Sequence, residues 1–139
     1  MQSTIPRLKI RLLRGWKEAA SPGALVTYIR EGGSGSLQFS LAHHKNDALT
    51  STTETTLIGI CERLTSRVRG QNDLSRSSGN CEFGIFGTVV AKGGSPAHFQ
   101  AWVLSNRREF ILITHTSKRE PDSQELKEAN EIALMTGCT

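Results

Sequence analysis

Three apolar runs follow one another between Glu82 and Thr114, separated only by short polar breaks, and none of them is polar along one whole side. In the first, Phe83, Ile85, Val89 and Ala91 alternate with Glu82, Gly84, Thr88 and Lys92, the period of two expected of a strand. Phe86 and Val90 interrupt the polar side. Gly93-Gly94-Ser95-Pro96 then reads as a turn, since glycine accepts positive φ and proline cannot continue a central ladder. Ala97 to Ser105 places Phe99, Ala101 and Val103 on one face and Trp102 and Leu104 on the other. After the polar connection Asn106-Arg107-Arg108, the run Phe110-Ile111-Leu112-Ile113 is apolar on both sides. A sheet open to water on one side keeps a clean alternation, and a sheet covered on both sides loses it. The pattern therefore predicts a sheet sandwiched between other elements.

Two segments have the character to cover it. Asp122-Ser123-Gln124-Glu125, preceded by Pro121, reads as a helix start of the capping-box kind, in which Glu125 would reach back to the cap. Leu126, Ala129, Ile132, Ala133 and Met135 recur at helical spacing, and Gly137 is a natural stop. From about Thr53 to Val68, Leu57, Ile58, Cys61, Leu64 and Val68 line one side of a second helix, with Trp102 expected in the core beneath a helix.

Two further strands are predicted in the N-terminal half, Ala24 to Arg30 and Leu37 to Ala42, joined by the flexible loop Glu31-Gly32-Gly33-Ser34-Gly35-Ser36. The glycines there match neither a P-loop nor a dinucleotide fingerprint, because they lead into a strand and no lysine follows. Residues 70–80 are polar and read as a mobile loop. The order β-β-β-α-β-β-β-α predicts an α+β fold: one antiparallel sheet of about six strands flanked by two main helices, an α/β/α sandwich. At 139 residues, 1–139 forms a single domain.

The net charge is +4, and all of the excess lies early: residues 1–52 carry 7 basic and 3 acidic side chains, and residues 53–139 carry 10 of each. Arg7, Lys9 and Arg11 alternate with Leu8, Ile10 and Leu12 and predict a strand with one basic face at a sheet edge, followed by Arg14 and Lys17. A phosphate-binding patch is the rival reading, though only Trp16 supplies a nearby aromatic. Arg107 and Arg108 at a hairpin tip add a second basic point. Cys61, Cys81 and Cys138 form no CxxC pair, which fits a reduced, cytoplasmic chain. No apolar run reaches the length of a membrane span, and the start has no signal-like apolar region, so no membrane role is expected.

Candidate chemistry is sparse. His43-His44 are adjacent, and neighbours on a strand point to opposite faces, so they chelate one ion poorly without a third ligand such as His98 or His115. A cysteine hydrolase would need Cys81 within hydrogen-bond reach of His98 or His115. Ser75, Ser77 and Ser78 lack a nucleophile-elbow context. Glu82 and Glu109 read as solvent-facing strand charges. No cofactor, metal or catalytic residue is expected.

Gly15-Trp16, Leu37-Gln38-Phe39-Ser40, Phe83-Gly84, Trp102-Val103-Leu104-Ser105 and Phe110-Ile111-Leu112-Ile113-Thr114 before Glu125 resemble small bacterial proteins of the PsbP-like fold, shared with a eukaryotic Ran-binding import factor. The resemblance implies an antiparallel sheet flanked by helices and a non-enzymatic binding or accessory role, including immunity-type proteins that neutralise toxins. It implies no catalytic residue. The combined expectation is a protein that binds another protein through Arg7, Lys9, Arg11, Arg14, Lys17, Arg107 and Arg108. Nucleic-acid binding by the first five is the alternative and a cysteine hydrolase the second; the sequence does not specify an oligomeric state.

Overall fold

β7 (His98–Ser105) is buried along its whole length, which sets the middle of the molecule. The computed structural model describes residues 8–20, 26–43, 53–68 and 74–138. Around β7 stands an antiparallel seven-stranded sheet in the order β2-β3-β4-β8-β7-β6-β5. Its other members are β2 (Trp16–Ala19), β3 (Val26–Arg30), β4 (Gly35–His43), β5 (Leu74–Asn80), β6 (Ile85–Lys92) and β8 (Glu109–Ser117). Two helices, α1 (Glu54–Val68) and α2 (Ser123–Leu134), cover opposite faces. The predicted α+β class is thus observed, with seven strands rather than about six.

Two strands of this sheet are additional to the sequence reading: β2 and, in the segment read from sequence as a loop, β5. β5 pairs with β6 without a break from Leu74↔Ala91 to Asn80↔Ile85. An edge strand with one solvated face needs no apolar alternation, so Ser75, Arg76, Ser77 and Ser78 concealed it. The basic first strand is also corrected. β1 (Leu8–Lys9) pairs with β9 (Gly137–Cys138) in a separate two-stranded ribbon and lies on no edge of the main sheet. Gly137 therefore belongs to a strand, not to the helix stop; α2 ends at Leu134 with Met135 as its cap.

α1 packs over β5, β6 and β7. Thr53 caps it, its hydroxyl accepting from Thr56 N–H at 3.3 Å. Gly87 lets the helix come close: a Cβ there would sit 2.7 Å from the backbone nitrogen of Ile58. Leu57 and Cys61 then bury against Val89, Phe99, Ala101 and Val103. The Cys61 thiol donates to the Gly87 carbonyl at 3.3 Å, and burial pushes its pKa up to about 12.

α2 sits on the other face, over larger side chains. Ala129, Ile132 and Ala133 meet Leu37, Phe39, Trp102, Leu104, Ile111 and Ile113. Trp102 is fully buried beneath it, as expected, and its indole N–H donates to Asn130 Oδ1 at 3.0 Å. Because α1 covers only the β5–β7 half of its face, Thr114 and Thr116 on β8 are half-exposed, whereas the α2-facing residues of the same strand are buried. No described helix is long and apolar enough to cross a membrane.

Candidate partner-binding surface

The most polar buried cluster lies at the N-terminal end of α2. Asp122 caps the helix, accepting from Glu125 N–H at 2.7 Å. Glu125 does not reach back to complete a capping box. Its carboxylate accepts instead from Ser34 N–H at 2.9 Å, Gly35 N–H at 3.0 Å and His115 Nε2 at 2.8 Å. Burial pushes the Glu125 pKa up, but the Ser34 amide, His115 and the Gly35 amide outweigh it and hold the group below its usual range. An ionised carboxylate only accepts, so His115 donates from Nε2, and burial keeps the imidazole neutral by lowering its pKa.

The glycines of the β3–β4 loop are explained by this contact. A Cβ on Gly33 would meet Glu125 Oε1 at 2.9 Å, and one on Gly35 would meet His115 Nε2 at 2.8 Å. The loop is pinned rather than free, with Ser117 Oγ also donating to Ser34 at 2.9 Å. The cluster is a latch in which both Glu125 oxygens are taken up, while His115 Nδ1 is buried with no hydrogen-bond partner among the described residues. Beside it, Glu128 accepts from Gln124, Arg30 and Trp16, which together hold its pKa down to about 2.

The sequence candidates divide into those that line the recesses described below and those that do not. β4 and β8 run side by side from Gly35↔Ser117 to His43↔Glu109, which defines the two ends of the sheet. Arg14 lies in the turn before β2, where Gly15 O accepts from Glu31 N–H at the latch end. Lys17 is exposed and paired in register with Ile29 on the same side of the molecule. Arg7 lies outside the described residues. Lys9 and Arg11 are at the far end, where they line a recess of about 310 Å³ with Glu82, Phe83, Asn106 and Met135. Arg107 lines an adjoining recess of about 160 Å³ that shares Phe83 and Asn106, and Arg108 is exposed next to it.

This end is built by two tight turns. Cys81 and Gly84 exchange backbone hydrogen bonds of 2.9 and 3.1 Å, and Glu82 N–H ties the turn to Leu134 O at 3.2 Å. Gly84, at φ +153°, leaves no room for a Cβ against the Ser105 carbonyl. In the β7–β8 turn, Asn106 Oδ1 accepts from the amides of Arg108 and Glu109 at 2.9 and 2.8 Å. Ser105 Oγ accepts from Arg107 N–H at 3.0 Å. Arg107 itself sits at φ +76°, left-handed backbone that glycine or asparagine adopts more cheaply. Arg11 meets Glu82 only at 4.0 Å, with both side chains more than half exposed, so the pair is weak. Lys9, Arg107 and Arg108 have no carboxylate partner among the described residues.

The remaining candidates fall differently. Cys81 lies at the basic end, whereas His98 starts β7 at the other, roughly 23 Å away along the strand. His115 is at the latch end too, its ring 5.4 Å from that of His98. The structure does not bring Cys81 and either histidine together. His43 ends β4 away from both, and His44 lies outside the described residues. No group of three His, Cys, Asp or Glu side chains among the described residues is placed to hold a metal. Glu109, expected to face solvent, is buried at 4% exposure. Sequence reasoning missed Phe83 and Asn106 as recess walls; the signal available for Asn106 was an Asx residue opening a tight turn. A groove of about 610 Å³ at the latch end, lined by Ile29, Ser36, Thr116, Lys118 and Arg119, was missed as well. No protein-family model matches the chain, and no curated protein matches it.

Proposed function

We propose that the chain is a non-enzymatic binding domain that recognises an acidic segment of another protein through the basic end formed by Lys9, Arg11, Arg107 and Arg108. The observation that carries this reading is the convergence of Lys9, Arg11 and Arg107 on two adjoining recesses, although they stand far apart in sequence. Phe83 and Asn106 give the recesses one apolar and one hydrogen-bonding wall, which suits side chains more than a phosphate rail. A left-handed arginine at the tip supports the same reading, because unfavourable backbone persists where a side chain is needed in place.

Nucleic-acid binding by the five N-terminal cations is less well supported. Arg14 and Lys17 line neither recess, so the five cations do not converge on one site as Lys9, Arg11 and Arg107 do. The resemblance to the PsbP-like fold favours an accessory role, immunity-type included, in the reducing cytoplasm, where Cys61 and Cys81 stay free.

The test is recovery of partners from the native host by the wild-type chain, by K9E/R107E/R108E and by R14E/K17E. A protein retained by the wild type and by R14E/K17E, but lost by the triple variant, is the expected result. Nuclease-sensitive recovery that R14E/K17E abolishes would overturn the reading in favour of nucleic acid.

A further inference from the structure

The two edges of the main sheet are protected unequally. β2 is four residues long and carries Lys17 and Glu18, the charged and short kind of edge that resists pairing. β5 is seven residues long, runs without a bulge, and contains neither proline nor lysine. Its outer side pairs with no strand among the described residues. Every second backbone group on that side is an exposed donor or acceptor, a template for one more antiparallel strand.

The side chains of β5 specify which strand fits. On the α1 side, Arg76 is paired with Glu62 and Ser78 Oγ donates to Glu54 Oε1 at 2.6 Å. Positive and negative positions therefore lie two residues apart on one face. Ser75, Ser77 and Gly79 occupy the other face and present no bulk. Ser77 is the midpoint of the strand. A two-fold axis through it, perpendicular to the sheet, sets Arg76 of one copy opposite Ser78 of the second copy, beside that copy's Glu54. The same axis sets Ser75 opposite Gly79 and pairs all seven residues. An axis at Arg76 would put like charges face to face, and one at Ser78 would bring the two Glu54 side chains together.

We propose that two copies of this chain join β5 to β5 in that register, making one continuous antiparallel sheet. α1 lies mainly over β6, so the two α1 helices come to stand on the same side of the seam. They are about three strand spacings apart, roughly 14 Å. The gap is too wide for direct helix packing and is bridged by the long side chains of Arg76, Glu54 and Glu62. The basic ends stay outside the seam, so the dimer presents two recognition surfaces.

Sedimentation velocity on the full chain tests the dimer, and cysteine cross-linking tests its register. The wild type is expected to dimerise with rising concentration. Under mild oxidation S77C should form a covalent dimer, because directly opposed residues fall within disulfide range. S75C should not exceed the wild-type background, because its counterpart is four positions off. E54K, which sets two cations against each other at both ends of the seam, should weaken the dimer about tenfold. Ser75 and Ser77 are exposed, and a cooperative melting transition at low concentration confirms that each variant folds. A wild type that stays monomeric at every soluble concentration overturns the proposal. So does S75C cross-linking as readily as S77C.

Discussion

Glu125 ties three parts of the fold together: α2, the β3–β4 loop and β8. It closes the N-terminal turn of α2 onto the β3–β4 loop and fixes the tautomer of a fully buried histidine. Replacing it with alanine leaves two amides and His115 without their acceptor, and about 3 kcal/mol of stability should be lost in denaturant titration. The pH dependence follows from the same pair. His115 is held below 6.5, so as pH falls through 6.5 the unfolded chain takes up its proton before the folded chain does. Stability is lost from that point downward. Glu125 is held below 4.5 and adds a second loss as pH falls under that value. Both contributions are fully present at neutral pH and both weaken on acidification. E125A should abolish the second loss, below 4.5, while the loss that starts at 6.5 remains. Arg107 gives the opposite kind of test. R107G relieves left-handed backbone and should gain up to about 1 kcal/mol in melting experiments, while weakening partner binding.

At the scale of elements, the way each helix meets the sheet depends on small residues. G87A would push a Cβ into the backbone of α1 at Ile58, and the helix would have to shift, at a cost of about 1–3 kcal/mol. The thiol beneath that helix is buried and strongly disfavours ionisation, so alkylating reagents should modify Cys61 only when the protein unfolds. These elements also show what the sequence made legible. β6, β7 and β8 could be read as apolar runs bounded by polar turns and α2 by its helical spacing, and Trp102 lies beneath a helix as expected. β5 could not, because an edge strand facing solvent carries no such period. β1 was read as a strand from its alternation, but alternation cannot name a partner, and its partner Gly137–Cys138 lies at the other end of the chain.

For the molecule as a whole, the sheet is a scaffold with chemically distinct ends: a buried latch at one and exposed cations around two recesses at the other. That distribution was out of reach from sequence. Arg14 and Lys17 follow Lys9 and Arg11 closely in the chain, yet they line neither recess. Arg107 and Arg108 join Lys9 and Arg11 only because β7 and β8 turn where the ribbon lies. The most direct measurement is the binding of a fluorescent poly-glutamate peptide, with single-stranded RNA as the comparison, titrated against the wild type, K9E/R107E/R108E and R14E/K17E. The account predicts peptide binding that weakens with salt, falls about tenfold or more in the triple variant and stays near wild type in R14E/K17E. Equal loss in both variants, or binding of RNA but not of the peptide, would contradict it.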